Sequence, residues 1–464
     1  MRNDTLAMTA DRDSGDGLPV PRRYWAIASI LIAIAMSVLD STIVNVALPT
    51  ITHDFQTTKA ASIWIVNAYQ IAILVALLPL ASLGEIVGYR RVSLTGLLVF
   101  TLASLMCAFA PSLELLSLAR VIQGLGAAGI MSVNAALVRF TYPRGMLGRT
   151  IGINAFVVAT SAAIGPTIAS GVLAVTDWRW LFAINIPLGI VAIAIARAAL
   201  PYTLRTPRRL NPIGVMLHVA TFGLLLGGLQ ALAHHEATNL ALVQVAAGCV
   251  AAIALVRYEL GRPAPLIPFD LLRIPMFSMS IATSICSFMA QAIAFVALPF
   301  EIQRLGHSAV ETGLLMTPWP LALACAAPVA GHLADRYPAG ILGGLGLMVM
   351  AAGLWLLASA PASGNAGALI WRMAVVGLGF GFFQSPNNRA MIASAPPLRS
   401  GAAGGMQGTA RLLGQSMGAA SVAIMFRANP VEGSNLALHV AAAVALVASV
   451  VSMIRLAAKQ EPHP

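Results

Sequence analysis

Apolar runs of about 20 residues recur along the whole chain, each closed by a short polar break, and this repetition narrows the possible folds more than any other feature. A run of that length, at ~1.5 Å rise per residue, crosses the ~30 Å hydrocarbon layer of a bilayer as a helix. Fourteen membrane helices are expected, at about 24–49, 61–83, 92–110, 113–139, 150–175, 180–200, 212–233, 238–257, 275–303, 311–334, 339–360, 365–393, 400–427 and 434–457. Composition agrees. Of 464 residues, 58% are hydrophobic and only 10% charged, with a mean hydropathy of +0.82, the profile of a polytopic all-α membrane protein.

The formal net charge of +11 would suit nucleic acid if the cations shared one face, but they fall in alternate loops. With both termini in the cytoplasm, 21 Lys and Arg lie on that side, Arg22, Arg23, Arg90, Arg91, Arg139 and Arg144 among them. Lys59, Arg179, Arg304 and Arg427 fall on the other side. That asymmetry orients a multi-pass protein of a bacterial-type inner membrane. Residues 1–21, with Asp4, Asp11, Asp13 and Asp16 among Gly and Pro, read as a disordered cytoplasmic tail. The first helix is too long for a signal peptide and has no small-residue cleavage site.

Cys107, Cys249, Cys286 and Cys325 each sit inside an apolar run and read as packing residues. The loop triplet His234, His235 and Glu236 lacks metal-ligand spacing. No GxxxxGK[ST] and no HExxH occurs, and no loop is large enough to hydrolyse a nucleotide. The expectation is therefore a non-enzyme without cofactor or metal, driven by an ion gradient.

Four ionisable side chains stand at membrane depth: Asp40, Arg120, Arg372 and Arg411. An ionised Asp at the centre of a membrane helix costs ~2.5–3.5 kcal/mol on insertion scales, so it faces a partner or a wet pathway. Asp40 comes nine residues before Pro49, about 14 Å from the end of its helix, and Arg120 lies at similar depth on an antiparallel helix. The two can pair, either as a permanent structural ion pair or as a switchable site, since burial and a neighbouring Arg act on a carboxyl in opposite directions. Arg372 is near a helix end, where snorkelling to the interface competes with ligand contact. Arg411 is mid-helix after Gly401, Gly404, Gly405 and Gly408, in either a hydrogen-bonding or a cavity role.

The chain contains a repeat. Ala81 to Gly88 and Gly331 to Pro338 share a small residue, Leu two on, an acid four on and a breaker seven on, and each is followed by an Arg entering a glycine-rich helix, Arg120 and Arg372. Both turns fall on one side of the membrane, so this is a parallel repeat of six helices, with the pair at 212–233 and 238–257 left between the halves. With LDSTIVNVALP from Leu39, LARVIQGLGAAG from Leu118, Gly165-Pro166 and WRWLFAINIP from Trp178, the chain resembles the major facilitator superfamily. The resemblance is to its fourteen-helix drug/proton antiporter branch and spans about residues 20 to 458. The sequence departs from that pattern with Ala81, Glu85 and Ile86 in the first turn and Ala169-Ser170 after the Pro, whereas Gly331, Asp335 and Arg336 keep the turn in the second half.

The resemblance implies an all-α major facilitator fold, two six-helix bundles at 22–200 and 275–458 joined by two linker helices at 201–274, with a cytoplasmic tail at 459–464. It assigns proton coupling to Asp40 and Arg120, an antiport kink to Gly165 and Pro166, and cytoplasmic gating turns to Glu85, Gly88, Arg90, Arg91, Asp335 and Arg336. The Trp178, Arg179 and Trp180 run reads as an interfacial aromatic anchor. Trp64, Asn67, Tyr69, Gln70, Asn134, Asn154, Phe156, Gln291, Phe295, Trp319, Gln384, Asn387 and Arg411 are candidate cavity residues, aromatic or polar groups inside helices. The function expected is proton-driven export of lipophilic drugs by a monomer in the bilayer. A single membrane-depth acid favours monocations such as quaternary ammonium biocides. Two alternatives stand beside this, an exporter of an endogenous metabolite or anion on the same fold, and a non-transporting membrane scaffold or sensor.

Overall fold

The computed structural model describes residues 17–143, 146–203, 210–231, 238–260, 262, 267–334, 336–359, 365–395 and 400–455. Every regular element in them is helical. The first half comprises α1 (Arg22–Asp54), α2 (Lys59–Ser62), α3 (Trp64–Val87), α4 (Tyr89–Ala108), α5 (Leu113–Thr141), α6 (Leu147–Val175), α7 (Trp180–Ala183) and α8 (Asn185–Ala199). Two helices follow, α9 (Pro212–Ala231) and α10 (Thr238–Glu259). The second half holds α11 (Phe269–Leu272), α12 (Pro275–Arg304), α13 (Ala309–Met316), α14 (Pro318–Leu333), α15 (Ala339–Ala358), α16 (Ala366–Ser394), α17 (Ser400–Ala428) and α18 (Gly433–Ile454).

Thirteen of these segments, counting α2–α3, α7–α8 and α13–α14 as single spans, are long and apolar enough to cross a membrane among the described residues. The expected fourteenth, α17, has the length at 29 residues but is rich in Gly and polar side chains, and so falls outside that set. It packs along α12 all the same. An added Cβ on Gly414 would come within 2.4 Å of the Ile285 carbonyl oxygen, and one on Gly418 within 2.6 Å of that of Met289. Residues 414–418 also spell Gly-x-Ser-x-Gly, yet both glycines serve this helix packing and Ser416 is buried mid-helix, so the string is not a nucleophile turn.

Glycines set the close helix pairs in both halves, since without a hydrophobic drive between helices in lipid, small residues allow the tight approach. Gly126 of α5 meets the Phe100 backbone nitrogen of α4, where a Cβ would be 2.4 Å away, and Gly379 of α16 meets that of Met350 in α15 at the same 2.4 Å. Gly124 meets the Tyr69 carbonyl and Gly377 that of Trp319 in the same way. These contacts correct the repeat by one residue. Counting six back from Gly126 reaches Arg120, but six back from Gly379 reaches Met373, and Arg372 is rotated about 100° around the helix from that place.

The halves join unevenly. On the side carrying the turn after Asp54, one apolar core runs through both, from Val46, Leu48 and Ile51 of α1 to Leu298 and Phe300 of α12, Leu315 of α13 and Phe426 of α17. On the opposite side the apolar residues form two smaller clusters that each draw on both halves, Leu412 of α17 joining one and Leu78 of α3 flanking the other, and Leu217, Phe222 and Leu226 of α9 lie across the seam between α3 and α17.

Candidate functional site

Asp40 is wholly buried, and three side chains on two helices, α5 and α8, answer its carboxylate. Arg120 Nη1 donates to Oδ2 in a close ion pair. Gln123 Nε2 and Asn185 Nδ2 both donate to Oδ1, at 2.8 and 2.9 Å. Arg120 is itself 1% exposed. It gives Nε to the Ile65 carbonyl at 3.2 Å and Nη1 to Gln123 Oε1 at 2.6 Å, and its guanidinium lies 4.0 Å from the centre of the Tyr69 ring. Gln123 Nε2 also donates to Ser104 Oγ at 2.9 Å and its Oε1 accepts from Cys107 Sγ at 3.5 Å, and the Tyr69 hydroxyl donates to the Ser37 carbonyl at 3.0 Å. A charge pair taken out of water is tolerable only when its other lone pairs and protons are matched, as here.

Helical spacing builds this cluster. Arg120 and Gln123 are three apart and share a face of α5. Asn185 opens α8 just after the short α7, where the backbone turns and delivers the amide inward. Neither Gln123 nor Asn185 was among the expected site residues, although both stand inside the LARVIQGLGAAG and WRWLFAINIP strings. An amide three residues from a buried Arg was the available signal.

Gly165, one residue before Pro166 in α6, packs on α1 next to this cluster. A Cβ there would come within 2.1 Å of Thr42 Oγ1. The same stretch of α6 touches the second half, since a Cβ on Gly313 would lie 2.5 Å from the Pro166 carbonyl oxygen, and Thr167 and Thr317 hydroxyls share a 2.8 Å hydrogen bond. Helix α6 thus sits between the acid-bearing helix and the other half.

The expected cavity residues do not share one environment. Phe295 and Trp319 stack edge to face at 4.8 Å. Trp64 opens on a shallow groove of about 470 Å³ with Leu113, Ser117 and Val121. Asn134 donates to Asn154 at 3.1 Å, Asn67 and Gln70 are buried, Gln291 and Gln384 are half-buried, and Phe156 is 70% exposed. Asn387 stands in a polar cluster of its own. Wholly buried, it accepts from Arg455 Nη1 at 2.6 Å and donates to Ser284 Oγ at 2.8 Å. Arg455 also donates to the hydroxyls of Ser280 and Ser452, so a cation expected in the cytoplasmic flank is packed 2% exposed at the end of α18.

The turn residues are placed less symmetrically than expected. Gly88 adopts φ +100°, a backbone region that excludes most side chains, and lets Tyr89 N reach Thr203 Oγ1 at 3.0 Å. Arg90 donates to the Arg197 carbonyl and lies 4.1 Å from the Tyr202 ring centre, contacts within the first half's exit and not across the halves. Glu85 is half-buried, Arg91 and Arg336 are exposed, and Asp335, like His234, His235 and Glu236, lies outside the described residues. Trp178 is turned inward at 1% exposed, its Nε1 donating to Asp54 Oδ2 at 3.0 Å, so only Trp180 of the pair presents itself as an exposed anchor. Burial opposes the charge of Arg179, yet its hydrogen bond to Asp177 and the two carboxylates of Asp177 and Asp54 hold that guanidinium above its ordinary range.

Arg372 keeps Nε and Nη1 without partners among the described residues and lies 5.4 Å from the Trp371 ring centre. Arg411, in the middle of α17, forms no hydrogen bond or ion pair with any described residue, its Nε shut off from solvent, and Tyr69 across the seam is its electrostatic neighbour.

Known proteins agree with this architecture. A sequence 53% identical over 445 residues, 95% of this chain and 97% of the relative, is the "Uncharacterized transporter YebQ" of Escherichia coli. "Riboflavin transporter RibZ" of Clostridioides difficile is 30% identical over 87% of this chain and 89% of its own. Other relatives include multidrug efflux and drug-resistance transporters. Among solved structures, a bacterial homolog of the human lysosomal transporter Spinster, in an inward-facing and unoccupied conformation, superimposes with a TM-score of 0.70 at 13% identity, over 96% of this chain and all of that one. The Major Facilitator Superfamily model matches residues 30–419, and the chain therefore belongs to that family of membrane transporters.

Proposed function

We propose that this transporter is a proton-coupled antiporter that exports small lipophilic molecules across the bacterial inner membrane by alternating access. The buried Asp40–Arg120 pair carries the reading. It places one titratable carboxylate at mid-membrane depth on α1, in a half that the other half can rock against. Both termini are cytoplasmic in this proposal, the Asp54 side is periplasmic, α17 is the fourteenth crossing, and the monomer is the working unit. The bundles are 22–200 and 275–458, with 201–274 linking them. Because the largest core spans both halves on the Asp54 side and only smaller clusters bridge them on the other, the conformation is read as closed toward the periplasm.

In the cycle, a proton arriving from the periplasm neutralises Asp40 and loosens its hold on Arg120, Gln123 and Asn185, freeing α1 and α6 to shift and cargo to leave. Loss of the proton to the cytoplasm restores the pair. Each proton brings ~2.3 kcal/mol per 100 mV and ~1.4 kcal/mol per pH unit. A monocation exchanged one for one gains from the pH gradient alone.

The test is proteoliposomes with an internal pH dye and a panel of cationic, neutral and anionic compounds. Substrate-dependent proton flux is expected from the native protein and is lost in Asp40→Asn. Undiminished proton-linked transport by that variant would reject the carrier role and leave Asp40 a permanent structural partner of Arg120.

A second reading, export of an endogenous metabolite or anion, is favoured by one observation, the guanidinium of Arg411, which has no partner among the described residues. The relative named as a riboflavin transporter makes a metabolite a reasonable cargo class. Metabolite release from a deletion strain, set against its susceptibility to cationic biocides, separates the two.

A further inference from the structure

The charges at membrane depth do not balance. Asp40 is the carboxylate there, and Arg120, Gln123 and Asn185 already occupy both of its oxygens. Arg411 stands opposite without any such answer among the described residues, its Nε buried and unpaired. Its surroundings point it at the seam and not at lipid. The next residue, Leu412, is 3% exposed and packs into the apolar core of the first half beside Tyr69, Ile73 and Leu77. A Cβ on Gly408, one turn earlier, would lie 3.6 Å from Leu77 Cδ2 of α3. Tyr69 therefore has a guanidinium from each half as a neighbour, Arg120 over its ring and Arg411 across the seam.

A second cationic place lies further along the same seam. A cavity of about 490 Å³ on the Asp54 side is lined by His53 and Lys59 of the first half and Phe300, Gln303 and Arg304 of the second, with no carboxylate in its wall. Arg304 is paired with Glu301 behind it, whose carboxylate is also an electrostatic neighbour of Lys59, while Gln303 Nε2 has no partner among the described residues and the Lys59 ammonium reaches the Pro430 carbonyl at 3.4 Å and the Phe300 and Phe426 rings. A cationic cargo at the centre meets an acid that is already engaged. An anionic one meets a guanidinium with no counter-ion among the described residues.

We propose that the cargo is an amphipathic organic acid and that Arg411 receives its carboxylate at the seam between the halves. The proposal rests on the antiport reading above and assigns the cargo's charge within it. An anion on Arg411 acts on the Arg120–Asp40 pair through Tyr69, in a low-dielectric setting where charges are felt strongly. The charge count of the cycle also changes. One monoanion leaving as one proton enters moves two elementary charges inward, whereas a monocation leaving for a proton moves none.

Two probes sharing one fluorophore test this, dansylglycine, a monoanion, and dansylcadaverine, a monocation, in proteoliposomes with an internal pH dye. Dansylglycine is expected to drive proton exchange. A diffusion potential of about 59 mV, negative on the cytoplasmic side, is expected to raise its attainable gradient roughly a hundredfold, tenfold for each charge. Arg411→Ala is expected to raise the KM for dansylglycine at least tenfold and Arg411→Lys to recover part of it, with native elution in size-exclusion chromatography certifying both variants. Proton-coupled transport of dansylcadaverine alone overturns the acid assignment, and dansylglycine transport undiminished in Arg411→Ala overturns the role of Arg411 as its receptor, while antiport stands in both cases. Absence of proton exchange with either probe overturns the antiport reading and this one with it.

Discussion

Asp40 and Ala290 occupy matching places in the two halves, each nine residues before a helix proline, Pro49 and Pro299, and each wholly buried, yet only the first is charged. The rest of the cluster is likewise one-sided. The repeat mates of Arg120 and Gln123 are Met373 and Val376, both fully buried and apolar. The polar machinery belongs to the first half, and the second half presents apolar packing where its counterpart would be.

Gln123 and Asn185 share one oxygen of Asp40, so their effects should be coupled. Gln123→Leu and Asn185→Leu each remove a hydrogen bond to a carboxylate, a loss of about 1.5–3 kcal/mol. The double variant is expected to depart from additivity by about 0.5–3 kcal/mol in thermal unfolding in detergent. Strict additivity would mean that the two amides hold Asp40 independently.

Gly165 is expected to be intolerant of even one methyl group. A Cβ there would overlap Thr42 Oγ1 at 2.1 Å, so Gly165→Ala should slow proton-linked transport about tenfold, in line with the ~1–3 kcal/mol cost of overpacking. Thr42→Ala in the same chain is expected to restore it. Failure of that rescue, with both variants folded, would remove the α1–α6 contact from the account.

Lys59 fastens the first half to the second on the Asp54 side through the Pro430 carbonyl and the Phe300 and Phe426 rings. Such exposed contacts contribute ~0.5–1 kcal/mol. Lys59→Ala should shift the balance of states two- to fivefold toward opening on that side. The readout is labelling of Thr317→Cys by a membrane-impermeant thiol reagent, in a chain whose native cysteines have been replaced. Unchanged labelling would show that the apolar core alone holds the seam.

Arg455 is expected to matter for stability and not for coupling. Arg455→Met removes the donor to Asn387, Ser280 and Ser452 and should lower the unfolding temperature, each such bond to a charged group contributing about 1.5–3 kcal/mol. Proton exchange per cargo molecule should be unchanged. A normal melting temperature would deny Arg455 its role as a clamp.

Much of this was legible in the residues. Hydrophobic runs, breaks and loop arginines located the helices, because a segment of fixed rise must match a layer of fixed thickness whatever its neighbours are. Splits at Ile63, Ile184 and Thr317 escaped notice, since a local turn inside an apolar run leaves the hydrophobic pattern intact. The polar α17 shows the opposite case. Its length and place between other helices mark its position more clearly than its hydropathy does, because a helix enclosed by protein need not be apolar on every face.

Depth along a helix is a one-dimensional quantity, and from it the sequence by itself determined that Asp40 and Arg120 lie at a common level. Rotation about each axis and the choice of neighbours were settled only by tertiary packing. Glycine contacts set α16 one residue away from the repeat, leaving Arg372 beside Trp371 and Met373 in the place that corresponds to Arg120. Packing likewise gathered Gln123 and Asn185 around one carboxylate, locked Asn387 to Arg455, and left Arg411 with no counter-charge among the described residues. The physical reason is that a buried polar group is satisfied by whatever three-dimensional neighbour lies within about 3 Å, and chain position alone does not encode that neighbour.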